Sequence, residues 1–339
     1  HYYLPVSRIY SGTSNRVEKE MPPMSCDLSI VIPAFSEAEV LPLALDTIKA
    51  IVEAENISYE IIVVDDGSGD NTSELIDTAH ATTPEIKGIV LSRQFGKEAA
   101  LFAGLKHASG KAVITLDADL QHPPDLIPGM LEHWRKGAEI VHGVKQDRQA
   151  DTPMQRFTAA VYSAVFSRLS GFDLRGSSDF KLLDRRVVNV LTNSLPEYGR
   201  FYRGLSAWVG YRQVSLPFDV APRESGESRW GGLGLLRYAI HTMTAFSSLP
   251  LMIVPVLGLV MLIISIILGI EAIFSKLAGD SISGFATLEI TLLFSGSLIM
   301  IGLGIIGQYM ARMFDEIKGR PICLISRMIG LESSADNSD

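Results

Sequence analysis

Two long stretches without a single acidic or basic side chain of the Asp, Glu, Lys, Arg or His type constrain this chain more than any other feature. From Thr242 to Ile270 there are 29 residues with no Asp, Glu, Lys, Arg or His, and from Ile290 to Ala311 another 22. About 20 apolar residues suffice for a helix to cross the hydrocarbon core of a bilayer. Two membrane-spanning helices are therefore expected, over 249–274 and 286–311; buried core helices rarely run so long without a charge. The flanks suggest an orientation. Arg223, Arg229 and Arg237 precede the first run, and Arg312, Lys318, Arg320 and Arg327 follow the second. The connecting loop holds Glu271, Lys276, Asp280 and Glu289, poor in positive charge. The excess of cations on cytoplasmic flanks places both termini in the cytoplasm with a short outer loop.

The segment before the first run is long enough for a sizeable domain, and its character narrows the partners. The chain carries a formal net charge of −8, which argues against nucleic acid as a ligand. Cys26 and Cys323 are the two cysteines, nearly 300 positions apart, so neither a disulfide framework nor a cysteine metal site is expected. Residues 1–26 read as a polar, irregular leader without a signal-like apolar core, and no function is assigned to them. Residues 227–248 mix Trp230, Leu235, Leu236 and Phe246 with Arg237 and His241. They read as an amphipathic segment lying at the membrane surface, with a core helix as the competing reading.

From Leu28 onward, short apolar runs alternate with amphipathic stretches. LSIVIP, EIIVVDD, IKGIVLSR and KAVITLD read as strands, with helices between them. Continuous β-branched runs separated by helices indicate an α/β domain with a mostly parallel sheet covered on both faces. In such sheets ligands bind beyond the carboxyl ends of the strands. Polar residues cluster at those ends: 33–37, 65–68 and 117–121. The alternation weakens after Asp125, which divides the domain into halves of 27–125 and 126–226; residues 312–339 form the tail.

Several routes to a ligand are closed. The chain has no G-x-x-x-x-G-K-[ST], no G-x-G-x-x-G after the first strand, and no G-x-S-x-G elbow. What remains is a pair of carboxylates, Asp117 and Asp119, one residue apart after an apolar strand. Like charges so close are costly unless a cation lies between them. Oxygen ligands alone favour a hard ion, Mg²⁺ or Mn²⁺, which completes its shell with substrate phosphates and water. Gln121 offers a further carbonyl.

Together IVIPAFSEAE, IIVVDDGSGDNT, LDADLQHPP and RESGESRWGG resemble the family 2 glycosyltransferases of GT-A fold. With two apolar runs followed by GQYMARMFDEIKGRPICLI, the chain is similar to the polyprenyl-phosphate glycosyltransferases, relatives of dolichyl-phosphate mannose synthase. That resemblance covers roughly residues 27–325 and implies transfer of a sugar from a nucleotide diphosphate sugar to a polyisoprenyl phosphate, with inversion. It places Pro33, Phe35, Glu37, Asp65 and Asp66 around the nucleoside, and Ala118 where the backbone approaches the nucleotide. Asp117, Asp119 and Gln121 match the metal and diphosphate ligands. Arg156, Arg223 and Arg229 match phosphate-gripping positions, with Arg229 standing where relatives often carry Lys. Asp179 aligns with a carboxylate near the acceptor, and Arg200 and Arg203 are candidates for the acceptor phosphate. An acceptor phosphate already presents an anionic oxygen, so Asp179 is expected to orient it rather than remove a proton.

The resemblance thus implies an inverting hexosyltransferase of the bacterial inner membrane, with UDP-glucose and an undecaprenyl-type lipid favoured. Transfer from GDP-mannose, a processive polysaccharide synthase and a non-enzymatic nucleotide-binding regulator are the alternatives. A synthase would carry Q-x-x-R-W, where this chain has Gly226 in place of Gln. Small residues on the two apolar runs, Gly258, Ser265 and Gly269 in the first and Gly296, Gly302, Gly304 and Gly307 in the second, suit close helix packing and a homo-oligomer.

Overall fold

The computed structural model describes residues 24–145, 177–195, 197–218, 249–277 and 285–331. They fall into two compact units, a sheet domain and a helical pair. The sheet domain begins β1 (Cys26–Ala34), α1 (Leu41–Ala54), β2 (Tyr59–Asp65), α2 (Thr72–Thr82), β3 (Ile86–Leu91), α3 (Lys97–His107) and β4 (Gly110–Thr115). It continues with α4 (Ile127–Arg135), β5 (Ile140–Lys145), β6 (Ser177–Asp184), α5 (Arg185–Asn189), α6 (Tyr202–Trp208) and β7 (Gln213–Phe218). A last strand, β8 (Ile325–Ile329), also belongs to it.

The strands form one sheet in the order β7-β5-β6-β4-β1-β2-β3-β8. The four central strands are mutually parallel, as the alternating pattern predicts. The flanks are mixed: β6 runs antiparallel to both β4 and β5, β5 pairs with β7 in parallel, and β8 closes the far edge antiparallel to β3. Continuous apolar runs are buried on both faces because side chains alternate along a strand. Leu28, Ile30 and Ile32 join Leu41, Leu45, Ile48 and Met130 in the core beneath α1 and α4. Val31 and Val64 point the other way, against α3, where Gly104 lets the helix backbone close onto them. The same alternation in β6 sends Phe180 and Leu182 into the first core and turns Asp179 and Lys181 toward α3 and α6.

Strand β8 was legible only as part of a tail. Its Met328 and Ile329 pair with Ile89 and Gly88, and Ile329 is 7% exposed. Arg327, counted in the sequence among the membrane-flanking cations, reaches Asp77 of α2 at 2.8 Å instead.

The helical pair consists of α7 (Leu249–Leu277) and α8 (Phe285–Ile317). Both are long and apolar enough to cross a membrane, over Val254–Glu271 and Phe294–Ile317. Both outrun the expected spans, because ARMFDEI continues α8 with residues that propagate a helix regardless of polarity. Gly302 packs against Val254, where an added Cβ would lie 3.2 Å from Cγ1. Gly258, Gly269, Gly296, Gly304 and Gly307 face open space. The expected amphipathic segment 227–248 lies outside the described residues.

Candidate active site

The carboxyl ends of β2, β1 and β4 lie side by side, with Ala34 paired to Asp65 and Val31 to Thr115. The chain runs from β1 through β2 to β3 on one side and from β4 toward β5 and β6 on the other, so the strand order reverses between β4 and β1, where doubly wound sheets open a crevice for ligands. Three turns line it.

In the turn after β4, the Leu116 N–H still donates to the Val31 carbonyl at 3.0 Å before the chain lifts away. Asp117 is half-buried, Asp119 is exposed, and the Ala118 methyl is buried in the core, so Ala118 offers the crevice its backbone. Leu120 has φ +54°, a left-handed conformation that costs a branched residue about 1–3 kcal/mol. It swings Gln121 back, and the Gln121 N–H donates to Asp119 Oδ1 at 3.1 Å.

The turn after β2 is built on its own aspartates. Asp65 Oδ1 accepts from the Ser68 N–H at 2.9 Å. Asp66 accepts from the Phe95 N–H at 2.7 Å and the Gly96 N–H at 2.8 Å. Both carboxylates are buried: Asp65 closes its own turn through Ser68, and Asp66 ties that turn to the start of α3. Gly67 makes that tie possible: its φ is +70° and a Cβ would sit 2.5 Å from the Arg93 carbonyl carbon. Burial pushes the Asp66 carboxyl above its ordinary range, with Asp65 adding to it and the two N–H donors opposing.

That tie delivers Lys97, the first residue of α3, to the centre of the crevice. Its ammonium lies 2.7 Å from Asp117 Oδ1 and 2.8 Å from Asp179 Oδ2. Arg203 of α6 grips the far side of Asp179, with Nε at 2.7 Å and Nη2 at 2.9 Å. The order Asp117, Lys97, Asp179, Arg203 alternates in sign. Burial pushes the Asp179 carboxyl up, but the Arg203 hydrogen bonds and the charges of Lys97 and Arg203 hold it well below the usual carboxylate range. Burial pulls Lys97 down, and Asp179 and Asp117 more than offset it, so Lys97 stays an ammonium. Asp179 is consequently too weak a base to take a proton near neutrality.

Beneath this row lies a second polar layer. Glu98 accepts from the Tyr202 N–H at 2.7 Å, and burial pushes its carboxyl up to about 7. The Tyr202 and Thr115 hydroxyls are hydrogen-bonded at 2.9 Å. Lys181 Nζ donates to the Ser206 hydroxyl.

The outer wall is acidic. Glu37 follows β1, and burial together with the charges of Asp119, Asp117 and Asp70 pushes its carboxyl up. Phe35 is 43% exposed and presents an apolar ring, with Pro33 half-buried beside it. His122 packs against Phe180 and Phe218 at ring distances of 5.5 and 5.6 Å. Its buried Nδ1 has no hydrogen-bond partner and stands 3.9 Å from Asp117 Oδ2. Burial holds the imidazole below its ordinary range, despite the nearby aspartates. The clustered carboxylates and their oxygen donors suit a hard divalent cation. The described residues assemble no group of three His, Cys, Asp or Glu ligands, so such an ion would depend on ligand oxygens to complete its shell.

Comparison with known proteins fixes the lineage. The profile described as Glycosyl transferase family 2 matches residues 29–186. A protein of Synechocystis sp. named as an uncharacterized glycosyltransferase is 39% identical over 311 residues, covering 91% of this chain and 98% of its own. The chain belongs to glycosyl transferase family 2. A second relative, named as a prophage bactoprenol glucosyl transferase homolog from Escherichia coli, is 34% identical over 303 residues, covering 89% of this chain and 99% of its own. Among solved structures, mannosyl-3-phosphoglycerate synthase from Rubrobacter xylanophilus superposes with a TM-score of 0.44 at 20% identity, over 65% of this chain and 73% of that one.

Within this family 2 domain the structure gathers Pro33, Phe35, Glu37, Asp65, Asp66, Asp117, Ala118, Asp119, Gln121, Asp179 and Arg203 at the carboxyl ends of the strands and the elements facing them. Arg200 is directed elsewhere. Its guanidinium donates to the Leu191 and Leu195 carbonyls at 2.7 Å each and stacks over Phe102, so its donors close the end of the α5 turn rather than face an acceptor phosphate. Arg156, Arg223 and Arg229 lie outside the described residues. Sequence reasoning missed Lys97, Glu98, His122 and Lys181. Lys97 had a signal available: Phe95-Gly96-Lys97 follows a strand and opens a helix, where a glycine with φ +100° sets the first helical side chain into the crevice.

Proposed function

We propose that the protein is a membrane-anchored, divalent-cation-dependent glucosyltransferase that moves glucose from UDP-glucose to a polyisoprenyl phosphate of the undecaprenyl type. The observation that carries this is the near full-length similarity, at 34–35% identity, to proteins named bactoprenol glucosyl transferase. The crevice fits that chemistry. Phe35 and Pro33 supply an apolar wall for a base, and Asp117 and Asp119 would hold the cation, with Gln121 beside them. A bound cation would neutralise the donor diphosphate and stabilise the charge that develops on the leaving UDP.

The chain's own residues then account for the acceptor side. A phosphate oxygen of the lipid attacks the anomeric carbon, the bond from that carbon to the UDP oxygen breaks, and no proton has to move. A general base is superfluous, which agrees with an Asp179 carboxyl locked between Lys97 and Arg203. Residues 27–125 serve the donor in this reading and residues 126–226 the acceptor.

Topology supports the same reading. Strand β7 precedes α7 and α8, and β8 follows them into the same sheet. Two crossings return the chain to the side it left, so the sheet lies with both flanks on the nucleotide side, in line with the cationic flanks.

The test is a transfer assay with purified protein, undecaprenyl phosphate and labelled UDP-glucose, GDP-mannose or UDP-galactose, with and without chelator. Label from UDP-glucose is expected in the lipid fraction, abolished by chelation and reduced on the order of 10²-fold or more by Asp119→Ala. Undiminished transfer by that variant would overturn the metal assignment, and preferential labelling from another sugar nucleotide would overturn the donor assignment.

A further inference from the structure

We infer that Lys97 is a resident counter-cation, which a divalent ion must displace from Asp117 before the donor can load. The inference rests on the proposed placement of that ion at Asp117 and Asp119, and adds to it a competition that no family assignment supplies.

The geometry carries it. Lys97 Nζ contacts both oxygens of Asp117, Oδ1 at 2.7 Å and Oδ2 at 2.9 Å, so it fills the chelating side on which a divalent ion would take both oxygens together. An ammonium and a divalent cation on one carboxylate repel each other strongly at such distances. One has to leave. The Lys97 side chain is suited to leaving, being 42% exposed on a flexible four-carbon stem. Its backbone stays fixed, because Asp66 holds the Phe95 and Gly96 N–H groups immediately before it. Only the side chain moves.

Charge balance favours the exchange. Once Lys97 swings away, Asp117 has the incoming cation, and Asp179 keeps its two-point contact with Arg203. Neither carboxylate is stranded, whereas in the absence of the ion Lys97 prevents Asp117 and Asp179 from facing each other unscreened. The displaced ammonium remains tethered at the crevice, within reach of the donor diphosphate that arrives with the metal. Lys97 thereby joins metal loading to the acceptor side, since its departure removes one of the two cations that grip Asp179.

The test measures Mn²⁺ binding alone, without nucleotide, by the EPR signal of free Mn²⁺ in titrations of the full chain in detergent. Lys97→Met is expected to bind Mn²⁺ about tenfold more tightly than wild type, because a competing positive charge is gone. Lys97→Arg is expected to stay near wild type, and Lys97→Gln provides a second neutral variant should Lys97→Met fold poorly. A residue that merely braced the fold would weaken metal binding on removal, not strengthen it. Unchanged or weaker Mn²⁺ binding by both neutral variants, with Asp119→Ala abolishing binding, would overturn the inference and leave the metal site standing. Wild-type binding that is absent, or indifferent to Asp119→Ala, would overturn the metal site and the inference with it.

Discussion

Replacing Lys181 with methionine is expected to stabilise the protein, most strongly at and below neutral pH. Lys181 is 2% exposed, its ammonium donates to the Ser206 hydroxyl, and it stands 5.4 Å above the Tyr202 ring. Burial pulls its pKa from an ordinary 10.5 down to about 7, against the opposing pull of Asp179. A base whose folded pKa is lowered penalises folding wherever the unfolded chain is protonated. The penalty is complete below pH 7, declines as pH rises between the two values, and is gone above 10.5. At about 1.4 kcal/mol per pH unit it amounts to roughly 3 kcal/mol at pH 8 and approaches about 5 kcal/mol in acid. Methionine keeps the unbranched stem and removes the charge. The lost hydrogen bond costs about 1 kcal/mol, and Ser206 still donates to the Arg203 carbonyl at 3.1 Å. The net gain at pH 8 is about 2 kcal/mol, or about 4–8 °C in Tm for a domain of this size. Thermal unfolding of both full chains in detergent, from pH 6 to 10.5, reads it directly. The advantage of the variant should shrink as pH rises above 7, vanish about 0.7 pH unit below 10.5, and give way to a deficit of about 1 kcal/mol at 10.5, where only the lost hydrogen bond remains. No advantage at pH 6–7, or one that does not change with pH, would refute the reasoning.

Arg203→Met should destabilise the domain by about 1.5–3 kcal/mol, since it strips a two-point partner from the buried Asp179 while Lys97 still holds its other side. Denaturant midpoints would show this, with a parallel fall in sugar transfer to lipid; an unchanged midpoint would mean the pair carries no weight. Ile329→Ala should cost about 2–4 kcal/mol, because β8 anchors on the sheet through that buried side chain. Its melting temperature should fall accordingly, and one equal to wild type would show that β8 contributes nothing to the sheet domain.

Much of this protein is written locally. Runs such as SIVIPA and IIVVD could only be strands buried on both faces, and the helices between them could only make the connections parallel. The charge-free stretches dictate long apolar helices by length alone. A pair of carboxylates directly after a strand falls at its carboxyl end, so the place of Asp117 and Asp119 in the fold, just beyond β4, was legible from strand order. Burial periodicity and strand-end position are properties of neighbouring residues, which is why they can be read without a structure.

The partners of the charged groups were decided by tertiary structure. Lys97 is 20 residues from Asp117 and 82 from Asp179, yet its ammonium joins them. Arg200 and Arg203 sit on adjacent turns and look alike in sequence, but one is spent on the Leu191 and Leu195 carbonyls and the other on Asp179. Strand β8 pairs with β3, and its Arg327 meets Asp77 of α2 across 250 residues. Apolar side chains need only an interior, and their periodicity specifies one. A buried charge needs one particular counter-charge within about 3–4 Å, and which segment supplies it is settled only when distant parts of the chain are brought together.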